Sequence, residues 1–378
     1  NYESIKMIYE LNKLISKLIR IGVELTFNLF KKKNFKIKKC SLCLSFKELD
    51  KNEWNILWDK INKSNLLQSW EYGDAKKTAE NLIVKRYVLE DDSGNAQAIV
   101  QVLIKNINFL GLFVGSLVRI NRGPLLLDCE INDDDYIDKY CKVISKIINE
   151  AKRKKWWLIL IAPEVQDNYC NRIKLKNSGL FFRRIISWGS SLVDLQKTND
   201  ELLSGFKSHW RRCFRKALKN NIKIERYMNE NLSTELVLHN YYTLQKERGF
   251  EGISDKLIRE MSKQKGEKWR FNSYLAKLDE SKSKDEFLGI LVTVIHGDTT
   301  IYLLGYTNYK GRSLNSNYLL FWNAILDSKH FGCKWFDLGG INNTTSPGIK
   351  AFKNSFNGNK YDLVGEAFII PFLSFIFN

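Results

Sequence analysis

The chain has 378 residues, of which 44% are hydrophobic and 27% charged, a balance that excludes wholesale disorder and fibrous classes. Its formal net charge of +18 favours anionic partners such as nucleic acids, phosphate compounds or a membrane surface. Residues 1–39 hold ten Lys/Arg and three Glu, and residues 205–226 hold eight Lys/Arg and one Glu, so each segment has a net charge of +7. We therefore predict two local anionic contacts. An AT-rich coding sequence would also raise the lysine content, but it does not explain the arginine cluster.

The first 40 residues have the pattern of a basic amphipathic helix. Polar side chains recur every three or four positions in a narrow stripe, and a wide apolar face surrounds them. This pattern suits a helix in an anionic membrane interface, and it equally suits a helix packed on its own domain or on a second protomer. The residues expected at the membrane are Lys13, Lys17, Leu18, Lys31, Lys32 and Lys33.

Several classes of protein and of site can be set aside. No apolar run reaches the roughly 18 residues of a spanning helix, and the seven cysteines show no disulfide framework. Cys40 and Cys43 form a lone C-x-x-C pair without the four ligands of a zinc site. The sequence has no P-loop, no H-E-x-x-H motif and no histidine triad. We expect no metal, no cofactor and a cytoplasmic location, peripheral on the inner face of the cell membrane.

From Leu42 onward the predicted elements repeat one order: helices, paired strands, a helix and a buried strand. The buried strand is WWLILIA at 156–162 in the first half and KWFDL at 334–338 in the second. The repeat predicts two similar α/β units in tandem. The predicted helices are two within 47–80, then 135–152, 201–220, 232–248, 254–264 and 313–330. The predicted strands are 82–90, 96–105, 156–162, 180–195, 222–227, 271–278, 286–296, 299–307 and 334–338.

Within the second unit, residues 206–219 are predicted to form a helix with one apolar and one basic face. Arg211 and Arg215 follow one another at i+4, and Arg212 widens the basic face. Like charges at this spacing destabilise an isolated helix, so we expect bound phosphate to offset the repulsion. The planar guanidinium group binds phosphate oxygens in pairs. A solvated basic face is the alternative interpretation.

The segment 334–358 is the second candidate for chemistry. Its buried strand ends at Asp337, and Gly339 and Gly340 let the backbone turn sharply or approach a ligand closely. Ligands favour the carboxyl ends of strands in α/β sheets, and the following loop brings Phe352 and Lys353 to this end. A lysine here can stabilise a developing oxyanion.

An ordered set of segments resembles the FemA/FemB/FemX family of peptidoglycan-bridge aminoacyltransferases, which belongs to the GNAT superfamily. The similarity covers roughly residues 45–370 and implies two tandem GNAT-like domains. We expect a basic helix at 1–40, a first domain at 41–196 that residues 345–378 complete, and a second domain at 197–344. The matching segments are LQSWEYGDAK, NRGP, HWRRCFRKALKNNIKIE, YYTLQKERGF, TTIYLLGY, YLLFWNAI, FGCKWFDLGGI and GIKAFKNSF.

The resemblance also implies roles for individual residues. Lys353 matches the family lysine that stabilises the oxyanion, and it is the one catalytic residue that we predict. Lys76 matches a lysine that contacts a nucleotide-sugar substrate, and Tyr302 matches a tyrosine of the cleft. The full predicted substrate-binding set is Lys76, Trp70, Arg211, Arg212, Arg215, Arg248, Tyr302, Tyr306, Asp337 and Phe352.

The sequence departs from the family pattern at several positions. Ala162 stands where the family's best-described member has an aspartate, and Leu304 stands where it has a second cleft tyrosine. Ile253 and Leu257 fall near the positions of an arginine and a tyrosine that grip the precursor. The acceptor can therefore differ from the usual muropeptide, and the general base is not assigned.

Three functions are consistent with these patterns. The first is transfer of an aminoacyl group from aminoacyl-tRNA to an amine of a phosphate-bearing, lipid- or nucleotide-linked cell-envelope precursor. The second is N-acylation of an envelope sugar from acyl-CoA or a carrier, although residues 308–317 lack the pyrophosphate loop of coenzyme A users. The third is a non-catalytic module that binds RNA or membrane. A homodimer fits each of them.

Overall fold

The computed structural model describes residues 44–109, 111–131, 133–182, 188–228, 231–248, 252–278, 287–342 and 345–372. The predicted helix at 1–40 lies outside the described residues, with all six of its expected membrane contacts, and so does the tail at 373–378. In the part of the chain that the structure describes, no helix combines the length and the apolar character needed to cross a membrane.

A first sheet with helices on its faces forms the N-terminal half of the fold. Its strands follow the order β1-β2-β3-β4-β6-β15-β7, and β5 pairs with β3 at the side. Helix α3 lays its apolar face, with Tyr140, Ile144 and Ile147, on this sheet in one continuous core. The strands are β1 (Ser45–Glu48), β2 (Ile83–Glu90), β3 (Ala96–Phe109), β4 (Leu112–Ile120), β5 (Leu125–Leu126), β6 (Trp156–Ile161), β7 (Phe181–Phe182) and β15 (Ala367–Ile369). The helices are α1 (Lys51–Trp58), α2 (Trp70–Glu80), α3 (Tyr136–Arg153) and α4 (Tyr169–Asn177).

A second sheet forms the C-terminal half, in the order β14-β8-β13-β12-β11-β10-β9. The HGDT segment closes the β11–β12 hairpin as predicted, with Gly297 in the left-handed region at φ +89°. The strands are β8 (Trp188–Asp194), β9 (Ile222–Met228), β10 (Trp269–Leu278), β11 (Phe287–His296), β12 (Thr299–Thr307), β13 (Trp335–Asp337) and β14 (Asn359–Leu363). The helices are α5 (Asn199–Gly205), α6 (Ser208–Leu218), α7 (Asn231–Arg248), α8 (Asp255–Lys263), α9 (Tyr309–Ser313), α10 (Ser316–His330) and α11 (Pro347–Asn354).

The predicted α/β class with two tandem units is confirmed. The strand β8 pairs with β13 and β14, so the chain already crosses to the second sheet before residue 196. After β14 it returns to the first sheet as β15, beside β6. The residue boundaries of the two predicted domains stay a prediction.

The continuous helix predicted across 201–220 is wrong. Helix α5 ends at Gly205, Phe206 is extended at ψ 150°, and α6 starts at Ser208. The Arg211 guanidinium donates to the carbonyls of Ser204 (2.5 Å) and Phe206 (2.7 Å), so side-chain donors satisfy the acceptors that the break exposes.

An apolar cluster and a polar clamp are among the contacts that join the two sheets. Tyr72 and Ala75 of α2 pack with Leu257 and Ile258 of α8 in a shared core. In the clamp, the Asp298 carboxylate accepts bonds from the backbone N–H groups of residues 63 (3.0 Å) and 64 (2.9 Å). A carboxylate that accepts two backbone bonds fixes the position of that loop. The two sheets therefore belong to one compact unit, Leu42–Phe377.

Candidate active site at the end of strand β13

The chain turns sharply where β13 ends. Gly339 has φ +70°, and a Cβ atom there would lie 2.9 Å from the Tyr302 carbonyl oxygen and 3.5 Å from the Lys353 Nζ atom. Glycine is therefore required at this turn, both for its backbone conformation and for the close approach. Leu338 and Ile341 lie on the two sides of the turn, and their N–H groups donate to carbonyls of β8 at 3.0 Å and 2.7 Å. The turn is thus fixed at both ends to the sheet.

Lys353 points into this turn from α11. The side chain is buried, with 5% of the residue exposed, and its Nζ atom donates to the Gly340 carbonyl oxygen at 2.9 Å. The ammonium group also lies 5.3 Å from the centre of the Tyr302 ring. Burial lowers the pKa of Lys353 to about 8, and the nearby Asp337 carboxylate opposes that shift. The amine is therefore largely protonated at neutral pH and close to its titration range.

Aromatic rings pack around Phe352, the residue that precedes this lysine. Phe352 makes edge contacts with Phe321 (5.1 Å between centroids) and Tyr318 (5.3 Å), and Tyr302 packs against Phe321 at 4.9 Å. These contacts hold α11 against β12 and α10. The predicted residues Phe352, Tyr302, Asp337 and Lys353 thus come together in space.

Asp337 lies under the turn with both carboxylate oxygens occupied. One oxygen accepts bonds from the Ser190 hydroxyl and from the Gly339 N–H at 2.8 Å. The other accepts a bond from the Tyr361 hydroxyl at 2.7 Å. We predicted that Asp337 binds substrate, and the structure places it among protein donors.

A buried ion pair from the first half of the chain completes this network. Arg122 donates from Nε (2.9 Å) and Nη2 (2.6 Å) to the two Glu164 oxygens, and from Nη1 to the Tyr361 hydroxyl at 3.1 Å. Burial alone would lower the pKa of Arg122, but the Glu164 carboxylate outweighs it and the pKa lies well above its usual value. Sequence analysis missed these roles. The sequence features that could have indicated them were the turn at Arg122 and the Ala162-Pro163-Glu164 segment after a buried strand.

A cavity of about 300 Å³ opens beside this network. Arg122, Glu164, Asp337 and Tyr361 contribute to its polar wall, and apolar side chains such as Leu192 contribute to the rest. Because residues of both sheets line it, the cavity exists only in the assembled fold.

The rim of the cavity holds a small group of potential metal ligands. Ligand atoms of Cys129, Asp133 and Asp135 lie within 4.8 Å of one another. Burial raises the pKa of the Cys129 thiol to about 11, which disfavours the thiolate that binds metals. The expectation that the protein uses no metal stays a prediction.

The predicted phosphate-binding arginines lie on α6, next to the end of α11. The Lys207 N–H donates to the Ser355 carbonyl at 2.9 Å, which joins the two helices. Arg212 and Arg215 are exposed, and Arg212 contacts His209 at 3.1 Å. Arg211 is half-buried, and its guanidinium bonds to the α5 carbonyls described above.

The remaining predicted residues lie away from this turn. Lys76 pairs with Glu80 on α2. The Arg86 guanidinium carbon lies 3.6 Å from the centre of the Trp70 ring. Tyr306 lies on β12 with its ring centre 6.4 Å from that of Phe287. Among the described residues, no hydrogen bond or ring contact joins Lys76, Trp70 or Tyr306 to Lys353. The side chain of Arg248, the last residue of α7, is outside the described part.

Comparison with known proteins agrees with this architecture. Residues 235–377 match the model of the FemAB family, a span that contains the β13 turn and Lys353. The structure is similar to that of FemX, with a TM-score of 0.70 and 17% sequence identity over 88% of this chain and 100% of FemX. It is also similar to a tandem GNAT protein from the clavulanic acid biosynthesis pathway, with a TM-score of 0.52 and 10% identity over 87% of this chain and 98% of that chain. No curated protein matches the sequence significantly.

The two-sheet architecture, the family match and the buried lysine at the strand end lead to the same assignment. The resemblance inferred from the sequence motifs is thereby confirmed. The chain is similar to the FemAB family over residues 235–377, and its fold is that of tandem GNAT-like proteins.

Proposed function

We propose that the chain is a peptidoglycan-related aminoacyltransferase that moves an aminoacyl group from aminoacyl-tRNA to an amine of a lipid- or nucleotide-linked envelope precursor. The observation that carries the proposal is the buried Lys353 ammonium group, which donates to a backbone carbonyl at 2.9 Å and whose pKa burial lowers to about 8. An isolated buried cation is costly, so its retention favours a catalytic role.

In the proposed reaction, the acceptor amine attacks the ester carbonyl of the donor. A C–N bond forms, the carbonyl oxygen becomes an oxyanion, and the C–O bond to the tRNA ribose then breaks. The ribose oxygen leaves as a hydroxyl, with the proton that the attacking amine loses. The Lys353 ammonium group would stabilise the oxyanion in a site with little water, where such an interaction is strongest.

The donor assignment rests on the exposed arginines of α6. Arg212 and Arg215 face solvent on the helix whose first residues adjoin the end of α11. Among the described residues no carboxylate pairs with either arginine, and guanidinium groups without such a partner favour a polyphosphate backbone such as that of tRNA. In the same proposal, Lys76 contacts the phosphate-bearing acceptor, and the segment at 1–40 holds the enzyme at the inner membrane surface.

The function is tested by offering alternative donors to the purified full-length chain. Labelled aminoacyl-tRNA and labelled acetyl-CoA are each mixed with the lipid-linked and the nucleotide-linked muropeptide precursor, and products are identified by mass spectrometry. We expect label to move from aminoacyl-tRNA to an amine of one precursor. Label from acetyl-CoA alone would support N-acylation instead, and transfer from neither donor would support a binding module.

Replacing both exposed arginines of α6 by alanine should weaken tRNA binding without unfolding the protein. The variant R212A/R215A removes two charges, so we expect about tenfold lower affinity in 0.1 M salt and a shallower dependence of log Kd on log salt, by about 1.4 to 1.8. Filter binding across a salt series measures both. The control K142A/K176A removes two exposed lysines from α3 and α4 and should change neither value. Equal losses in both variants would indicate non-specific attraction.

A further inference from the structure

We propose that Asp337 is a positioning residue for Lys353 and does not bind substrate, and that Arg122, Glu164 and Tyr361 extend this positioning network into the first half of the fold. The inference rests on the proposed function for its link to catalysis. Its structural part, the control of Lys353 by Asp337, does not depend on any substrate.

Both oxygens of the Asp337 carboxylate are engaged by protein donors. They accept three bonds, from the Ser190 hydroxyl, the Gly339 N–H and the Tyr361 hydroxyl. Arg122 Nη1 lies 3.9 Å from the oxygen that accepts the Tyr361 bond. Asp337 is buried, with 5% of the residue exposed, so protein donors surround its carboxylate.

The same bonds fix the carbonyl that orients Lys353. Ser190 also contacts the Gly339 carbonyl oxygen at 2.8 Å, so one hydroxyl bridges the carboxylate and the turn. The Gly339 N–H is thus held by Asp337, and its C=O shares the single Ser190 hydroxyl proton with the carboxylate. The next carbonyl, that of Gly340, accepts the Lys353 Nζ bond. Without the Asp337 carboxylate, the Gly340 carbonyl that accepts the bond from Lys353 would therefore no longer be held in place.

The network reaches the first sheet through Tyr361. Its hydroxyl lies between Asp337 (2.7 Å) and Arg122 (3.1 Å), and Arg122 is held by both Glu164 oxygens. Arg122 and Glu164 come from loops that follow β4 and β6 of the first sheet. The position of the catalytic lysine is thereby coupled to the packing between the two halves of the fold.

Few titratable groups face Lys353 from the elements around it. Asp337 approaches from β13 and Tyr302 from β12. Burial raises the pKa of Tyr302 to about 12, so its hydroxyl stays neutral in the working range. Tyr318 of α10 packs against the neighbouring Phe352 ring, and burial likewise raises its pKa. Asp337 is therefore the group whose charge most directly affects the protonation of Lys353.

The first test is Asp337→Asn, which keeps the shape and an acceptor oxygen for Ser190 and Gly339 but removes the negative charge. In the resting protein, the rate at which acetic anhydride labels Lys353 is followed against pH by mass spectrometry. We expect the midpoint, near pH 8 in the parent chain, to fall by about one pH unit because a nearby anion no longer favours the ammonium form. Asp362→Asn, at an exposed position on β14, is the matched control and should leave the midpoint unchanged.

Kinetics then separate positioning from substrate binding. For Asp337→Asn we expect kcat to fall about tenfold, KM to stay within twofold, and the alkaline limb of the transfer rate to shift to lower pH together with the labelling midpoint. Ser190→Ala keeps the charge and loses only the hydroxyl bridge, so we expect a fivefold lower kcat with an unchanged midpoint. If Asp337→Asn does not fold, the kcat and the labelling midpoint of Ser190→Ala test the positioning role instead.

A different pattern would overturn the inference. If Asp337 binds substrate, KM should rise at least tenfold in Asp337→Asn while the labelling midpoint of Lys353 stays where it is. Failure of the proposed function looks different, because no donor would then support transfer in the parent chain, whereas the labelling midpoints could still be compared.

Discussion

Lys353→Met should abolish aminoacyl transfer while leaving the fold intact. Methionine has a similar length but carries no charge, so the oxyanion would form in a buried site without a cation. Removal of one oxyanion-stabilising donor typically costs about 100- to 1,000-fold in rate. Single-turnover transfer from aminoacyl-tRNA under saturating enzyme measures this loss separately from binding. A variant that retains more than about a tenth of the parent rate would contradict the catalytic role.

The same substitution should not lower stability. Burial lowers the pKa of Lys353 from 10.5 in the unfolded chain to about 8 in the folded one. Below pH 8 the folded state therefore carries the full cost of the buried ammonium group, about 1–3 kcal/mol, and this cost declines as pH rises from 8 to 10.5. Urea unfolding at pH 7 should show an equal or higher free energy of unfolding for Lys353→Met. Lys360→Met, at an exposed site on β14, is the control for both rate and stability.

Arg122→Met should be one of the most destabilising single changes in the fold. Only 15% of the Arg122 side chain and 14% of the Glu164 side chain are exposed, and two hydrogen bonds join them. Removing one partner of such a pair leaves an uncompensated buried charge, which typically costs about 3–5 kcal/mol. The backbone of residue 122 is in the left-handed region at φ +45°, and this conformation costs the same free energy for arginine and for methionine, because neither is glycine. Urea unfolding at neutral pH measures the loss.

Two further variants give this prediction its controls. Arg119→Met breaks the Arg119–Glu366 pair, whose side chains are 48% and 42% exposed, and should cost less than about 1 kcal/mol. The double variant Arg122→Met/Glu164→Met removes both charges and should recover part of the stability lost in the single variant. If Arg122→Met and Arg119→Met lowered the free energy of unfolding equally, burial of the Arg122–Glu164 pair would contribute little to stability.

Local pattern was sufficient for most helices and strands. The uninterrupted apolar run at 156–162 predicts a strand covered on both faces, and β6 does lie between β4 and β15 in its sheet, but Trp157 and Leu160 are exposed. The predicted strands at 222–227, 286–296 and 299–307 correspond to β9, β11 and β12. These features depend on neighbours within a few residues, so composition and periodicity are enough to find them.

The break between α5 and α6 is a case where pattern was misleading. The apolar spacing from Phe206 to Ala217 continues through the break, because the extended Phe206 still packs on Trp210 (4.5 Å between centroids) and Phe356 (5.2 Å). What stops the helix is a set of bonds that the pattern does not contain, from Lys207 to Ser355 and from Arg211 to the α5 carbonyls.

The sequence alone predicts two α/β units in tandem, a basic helix at 206–219 and a glycine turn followed by a lysine after a buried strand. Only the tertiary structure decided which groups surround that lysine. Ser190 bonds to a residue 147 positions away, and Arg122 bonds to one 239 positions away. Such partners depend on which strands lie side by side in the folded sheets. The burial that lowers the pKa of Lys353 has the same origin, since it arises from packing between α11, β12 and α10 and not from any neighbouring residue in the chain.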